Sequence, residues 1–575
     1  FLTDEGKEYN IDWRGIWTVA AKRTAEGWSA EFAIPFRTLR YHGDGSTWGF
    51  NVYRMIRHGN EEVLWRGWAR GSEGIARVSR AGHLVGLDDL PRPGVNVDLK
   101  PYVLGGADQE HETAGSTTSG VGNVGVDLKS EVRPGLVLDL TYNTDFAQVE
   151  VDDQQVNLTR FSLFFPEKRE FFLENSGIFA FGARGQFEPP PFLAFFSRSI
   201  GINADSGEVP MLGGGRLTGR LGSETVGLLS AMTASRYGDP RTAFNVARVK
   251  HDLWRAGYVG AMLVDRRNAE TANTVGGVDF SLWPMQKLNV QGFGARTTTK
   301  GPGGDDVAWR LGADYQSTNM SASLSHVAVG PDVEASAGFV PRTDIKRTQG
   351  NARYVFRPYV LNLRRLSINM FNDVVTNTRG ERLDWNVSLG TSPTWNTADN
   401  MALFYSMGRN RVTDAFTLAD TVLVPAGDYP SSDITVFGST GPGRPIVLNV
   451  NADFRRQFGG SVNSATVGAA ANVGTHLGFK LGYTRSDASL PNGAFVAHLL
   501  SLRSTYAFTT RAVLNSLVQY NSLGRTLSAN ARLGYTFRPG SDVFLVLNEE
   551  RGSDVAVWDP HSRGVRLKVT YLARL

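Results

Sequence analysis

A chain of 575 residues without a single cysteine holds no disulfide, thiolate metal site or cysteine nucleophile. Its 60 basic and 56 acidic residues leave a net charge of +4 that is interspersed rather than blocked, so no electrostatic footprint for nucleic acid exists. No apolar run reaches the roughly 18 residues of a transmembrane helix, and a mean hydropathy of −0.22 fits a chain whose membrane-facing residues are diluted by polar ones.

Residues 1–92 are rich in Trp and charge, and the stretches Asp12 to Trp17, Gly27 to Phe36, Trp48 to Asn51 and Trp65 to Trp68 read as short strands of a small β-sandwich-like module. The series Trp28, Ala30, Glu31, Ile34, Pro35, Phe36, Leu39, Arg40, Trp48, Gly49, Asn51, Arg54 and Arg57 resembles the second half of a carbohydrate-binding family 9-like module. The resemblance implies a sugar held between aromatic faces, for which Trp13, Trp17, Trp65 and Trp68 are the right type, with Glu31 and Glu61 as polar partners. The alternative is that these Trp residues pack the module's core and the glutamates pair with Arg40, Arg54 or Arg57.

Leu90 to Gly94, with two prolines and a glycine, is the expected boundary, and residues 93–575 the second domain. From there the pattern is dyadic. Leu366, Ile368, Met370 and Val374 alternate with polar neighbours, as do Ile446, Leu448, Val450 and Phe454, and Leu527, Ala529, Ala531, Leu533 and Tyr535. The last stretch, Gly564 to Leu575, places Val565, Leu567, Val569, Tyr571, Ala573 and Leu575 on one face. Dyads of about 10 residues recurring to the chain end predict an all-β protein, a large antiparallel transmembrane barrel. An apolar terminus after such a strand resembles the assembly signal of outer-membrane proteins, although Leu575 stands where Phe is commoner.

Short breaks recur near Arg133, Gly222, Arg255, Pro284, Asn319, Pro358, Thr397, Gly441, Gly474, Thr509 and Pro539. Longer ones are expected at Thr299 to Asp306, Gly330 to Gly350, Asn410 to Ser432, Ser486 to Ala494 and Arg551 to Arg563. Short turns at one rim and long loops at the other predict periplasmic turns, extracellular loops and about 24 to 26 strands. The amino-terminal module is then periplasmic, and the secretory signal is expected upstream of Phe1.

Residues 142–201 combine dense Phe with dense charge, which suits neither lipid nor bulk water. This stretch resembles the hallmark of a family of outer-membrane barrels of unknown function, the domain of unknown function 5916 type, that follows a family 9-like module. The resemblance spans essentially the whole chain and implies architecture, not an activity. Two readings stand: an insert at about 146–200 that narrows or plugs the lumen near the periplasmic side, or two further strands with a folded rim loop. In the first, Asp145, Glu150, Asp152, Asp153, Arg160, Glu167, Lys168, Arg169, Glu170, Glu174 and Arg198 pair with lumen groups. Asp145, Glu150, Asp152 and Asp153 also allow a calcium reading, against pairing with Arg160, Arg169, Arg198, Arg216 or Arg220.

No HExxH, Gly-x-Ser-x-Gly or P-loop occurs, and the nine histidines show no metal-ligand spacing, so neither a catalytic residue nor a cofactor is assigned. The expected function is a non-enzymatic channel or transporter of the bacterial outer membrane. Its partners are lipid and lipopolysaccharide, with a glycan or proteins at the module and the loops. The alternatives are an anchor for a surface complex or secreted chain, and a glycan-degrading hydrolase, which needs two carboxylates facing across a cleft.

Overall fold

The computed structural model describes residues 2–3, 8–9, 17–36, 39, 47–56, 59, 61–67, 81–87, 97–112, 115–133, 135–145, 151–182, 190–203, 207–236, 238–254, 257–300, 304–552 and 560–575. Alternating residues drive the wall: each dyad sends one set of side chains out and the other in, and every strand pairs with its sequence neighbour. The result is one closed antiparallel barrel of 24 strands, running from Val97–Glu112 to a last strand that pairs with the first. Closure removes the sheet edges, so every strand is paired on both sides.

The seam shows how local chemistry shapes the wall. The last strand runs over Pro560–Thr570, breaks, and resumes at Ala573–Arg574 in the same register. The break falls where Tyr571 N–H donates to Pro101 O, because Pro101 has no N–H to return the bond. Arg566 with Asp108, and Arg574 with Asp98 at 3.3 Å, tie the two strands across the seam.

Outward positions are large and apolar: Val103, Leu140, Leu263, Val278, Leu311, Leu324, Met370, Leu389, Leu403, Ile434, Leu448, Leu481, Leu500 and Leu567 are exposed. Aromatic pairs mark the short-turn rim, with ring centroids 4.8 Å apart for both Tyr354–Phe356 and Tyr506–Phe508. A closed wall with an apolar outer face and aromatic flanks is a bacterial outer-membrane barrel, and that is where this protein resides. Apart from the break near Arg255, which lies outside the described residues, every short break read from the sequence lies at one rim, and both ends of the wall return to that rim. Gly222 and Gly474 take the left-handed conformation (φ 63° each) that two of these turns require.

The strand total is 24, the lower end of the expected range, since Leu136–Tyr142 pairs directly with Met211–Leu221 and no extra pair enters the wall between them. One expectation changes. The stretch from Ser486 to Ala494 is no long loop; Leu477–Leu490 and Gly493–Ala507 run paired almost to the tip, where Ala488, Phe495 and Ala497 bury against a neighbouring loop.

The described part of residues 1–92 forms separate two-stranded ladders: Thr18–Thr24 with Gly27–Ala33, Thr47–Phe50 with Gly82–Val85, and Tyr53–Ile56 with Glu61–Leu64, besides a minimal pair at Leu2–Thr3 and Glu8–Tyr9. Most of their side chains are exposed.

Candidate functional site: residues 143–210 and the cavity beside them

The chain leaves the wall at Asn143, a left-handed residue (φ 54°) whose side-chain amide donates to Val124 O at 2.6 Å. Asn tolerates this conformation because its short polar side chain can bond locally, as it does here. The wall resumes at Met211. Between these points the chain bonds to strands around the circumference.

Asp145 meets Lys568 at 3.2 Å, Asp153 meets Arg503 at 2.9 Å, and the Gln154 amide donates to Gln519 Oε1 at 2.9 Å. Arg160 reaches Asp384 at 2.9 and 3.1 Å and donates to Arg411 O at 2.7 Å. Glu174 pairs with Lys129, its carbonyl accepts from Arg216, and Asn175 donates to Thr218 at 2.9 Å. The Gly182 amide donates to Asp279 Oδ2 at 3.0 Å. The wall partners Arg216, Thr218 and Asp279 occupy buried positions opposite the apolar outer set, so these bonds are made inside the barrel. They are spread over its height: Asp384 and Arg411 lie near the long-loop rim, Thr218 and Lys250 in the short-turn half. The contacts are therefore not confined to the short-turn end.

Within the segment, Arg169 organises the fold. Its guanidinium binds Glu167 at 2.7 and 2.8 Å, donates to Ile200 O at 2.6 Å and Ser197 O at 2.7 Å, and lies 4.5 Å from the Phe172 ring centre. Burial pushes the Glu167 carboxyl up, but the hydrogen bonds and charge of Arg169, with the Ser197 hydroxyl, outweigh it and hold the group below its ordinary value. Lys168 and Arg198 share Asp152, and Glu170 lies 3.9 Å from Lys100.

The described carboxylates once open to a calcium reading thus go to different cations: Asp145 to Lys568, Asp152 to Lys168 and Arg198, Asp153 to Arg503. No three His, Asp or Glu side chains among the described residues could hold a metal ion. Glu150, Trp13 and Trp68 lie outside the described residues. Trp17 and Trp65 are exposed, Trp17 stacked on Phe32 at 5.9 Å and Trp65 edge-on to Phe50 at 5.7 Å.

The inner wall has two characters. From Met211 to Ile345 its inward side chains are largely apolar, including Leu229, Phe244, Val246, Val264, Val275 and Phe293, and bury against Phe172, Phe179, Phe181, Phe192 and Ile200. The loop 330–344 joins this core, exchanging two backbone hydrogen bonds between Phe339 and Leu193 at 2.9 and 3.0 Å. Around the other side the inward pairs are small and polar: Asn369–Ser392 at 3.1 Å, Ser464–Ser486 at 3.2 Å, Thr466–Thr484 at 2.8 Å and Thr505–Asn515 at 2.9 Å.

Between the segment and this polar side lies a cavity of about 1330 Å³. Arg160, from the segment, and Arg342, from the loop, both bind Asp384 and flank the Phe161 ring at 5.1 and 5.7 Å. Arg347 chelates Asp373 at 2.7 to 3.1 Å, and Arg455 stands 3.5 Å from Asp433 and Asp453. Each of these cations is matched by a carboxylate. Sequence reasoning did not single out Asp384, Arg342 or the buried pair Arg248–Asp279, because their local sequence resembles that of other polar wall and loop positions.

Residues 93–234 match the family model described as "Domain of unknown function (DUF5916)". Solved structures to which the chain is similar include OpdO from Pseudomonas aeruginosa, at 9% identity, covering 84% of this chain and 97% of that chain with a TM-score of 0.30. The siderophore receptor PirA from Pseudomonas aeruginosa has 10% identity, covers 84% of this chain and 81% of its own, and gives a TM-score of 0.41. The ferric-catecholate import receptor Fiu from E. coli K12 has 9% identity, covers 84% and 82%, and gives 0.37. No curated protein matches the chain.

Proposed function

We propose that the protein is a non-enzymatic outer-membrane channel or transporter in which residues 143–210 act as a plug held against one side of the lumen. The observation that carries this reading is the two-sided inner wall. A 24-stranded barrel is too wide to be filled by its own side chains. The apolar half supplies a surface on which the segment packs, while the Ser, Thr and Asn half supplies hydrogen bonds to water and to hydrophilic solute. The cavity beside Arg160 is where a solute entering from the long-loop rim lodges. Glu167, Asp373 and Asp384 are each held by arginine, which leaves none of them free to act as a proton donor for glycoside hydrolysis.

The amino-terminal ladders belong in this reading to a periplasmic, carbohydrate-binding-like module, and the exposed rings of Trp17 and Trp65 are the surfaces offered to a glycan. A second reading, an anchor for a surface complex, has its own support: these ladders also expose Val19, Phe32, Ile34, Phe50, Val63 and Val85, side chains that suit a protein partner.

Single-channel conductance in a planar bilayer separates these readings, comparing the full chain with a variant lacking residues 146–200. A silent full chain and a conducting deletion support the plug and the channel. Equal conductance from both removes the plug, and silence from both turns the assignment to the anchor.

A further inference from the structure

Arg160, Arg342, Arg347 and Arg455 beside the cavity are matched by carboxylates; a group of four arginines at the short-turn mouth is not. Arg353, Arg357, Arg364 and Arg365 come from two adjacent strands, Ile345–Phe356 and Leu363–Thr376, and the turn that joins them. Arg353 donates to Ser367 Oγ at 3.1 and 3.3 Å, Arg365 to Thr394 Oγ1 at 3.1 Å, and Arg357 to Asn319 Oδ1 at 2.6 Å and Thr318 O at 3.2 Å. Among the described residues none of the four has a carboxylate partner, whereas Arg347, on the same face of the strand as Arg353, has Asp373. The three others stand close enough to Arg365 for their charges to act on it. The neighbouring positions are neutral and polar: Ser321 and Asn369 lie directly across from Arg353, and Thr394 across from Arg365. Ser367, to which Arg353 donates, faces inward with Asp373, so Arg353 and Arg365 point into the mouth.

Four like charges gathered without counterions repel one another, a cost that an anion at their centre removes. Guanidinium groups with hydroxyls beside them match an oxyanion, which accepts from planar N–H forks and from O–H groups together. We infer that Arg353 and Arg365, with the charges of Arg357 and Arg364 close by, form an anion-binding site at the short-turn mouth of the lumen, for a phosphate or carboxylate group. The chemistry is shared by a free anionic solute and by the headgroup of an anionic phospholipid. In the first case the site deepens the channel reading, making the passing solute an anion; the binding itself does not depend on conduction.

The test is calorimetric titration of inorganic phosphate into the full-length protein at low ionic strength, in phosphatidylcholine nanodiscs and in nanodiscs containing phosphatidylglycerol. Saturable binding in phosphatidylcholine is expected, weakened about tenfold or more by R353Q/R365Q as two charge-assisted partners are lost. The charge-matched control R379Q/R525Q, at the other rim, should leave it unchanged. Absence of saturable binding, or equal loss in both double variants, overturns the site. Phosphate binding that survives phosphatidylglycerol identifies a solute site; binding suppressed by that lipid identifies a headgroup site. Because conduction is not the readout, phosphate binding by a protein that stays silent both as the full chain and without residues 146–200 would overturn the proposed function and leave this site standing.

Discussion

The amide of Gly182 donates to Asp279 Oδ2 at 3.0 Å, so a backbone group of the inner segment completes the shell of a carboxylate in the barrel wall. Arg248 binds the same carboxylate at 2.6 and 2.8 Å, Tyr258 Oη lies at 3.1 Å, and Arg248 and Asp279 are both fully buried. Asp279→Ala should be strongly destabilising, on the order of 3–5 kcal/mol, because it strands a buried guanidinium. The double variant R248M/D279L should recover most of that loss, since it removes both charges. Denaturant titration of the refolded barrel reads both, and a double variant as unstable as the single one would contradict the assignment.

Asp384 joins three parts of the chain: the segment through Arg160, the loop through Arg342 and the wall by its own strand. Asp384→Asn should release both arginines at a cost of about 1.5–3 kcal/mol. That raises the population of the displaced segment by an order of magnitude or more. Faster hydrogen exchange at residues 157–163 and 338–342, with the wall unchanged, is the expected result; uniform exchange would show that the shared carboxylate holds nothing in place.

Much of the wall was legible in the sequence because its physics is local. The dyads of Ile446 to Phe454 and the Pro and Gly breaks at Arg133, Gly441 and Pro539 each carry their own signal within a few residues. What lies inside the barrel was not, because its partners are remote: Leu193 meets Phe339, and Gln154 meets Gln519. Period alone does not place Val333, Ala337, Leu418 or Val424, which look like ordinary loop residues until the loops fold inward and bury them. The dense Phe and charge of residues 161–174 marked that stretch as unlike wall, yet Asp384 and Arg342, which hold it, sit in segments that read as ordinary strand and loop.

Gly338 tests how closely the loop approaches the segment. A Cβ there would fall 2.0 Å from Leu193 O, a backbone atom that cannot move aside as a side chain can. Gly338→Ala should displace the loop and break the paired hydrogen bonds between Leu193 and Phe339, costing about 1–3 kcal/mol as overpacking. A larger conductance, or faster proteolysis within 330–344, would register it, while unaltered loop protection would show that the approach is not that tight.

Acid should loosen the segment through Glu167. Its carboxyl is held below the ordinary glutamate value in the folded protein, because Arg169 and Ser197 outweigh the effect of burial. A depressed folded value means the stabilisation is fully present above the unfolded value of about 4.3. It drains away as pH falls below that point through the folded value. Between pH 6 and 5 the segment should therefore stay docked, and as pH falls through the depressed folded value it should release Arg169, with the bonds to Ile200 O and Ser197 O following. Glu167→Gln keeps the shape but removes the titration, so the acid-dependent part of any conductance rise should disappear in that variant while its baseline at pH 6 is higher. Identical acid responses in the two proteins would move the effect to other carboxylates, of which Asp344, also held low by its bonds to Thr378, is next along the loop.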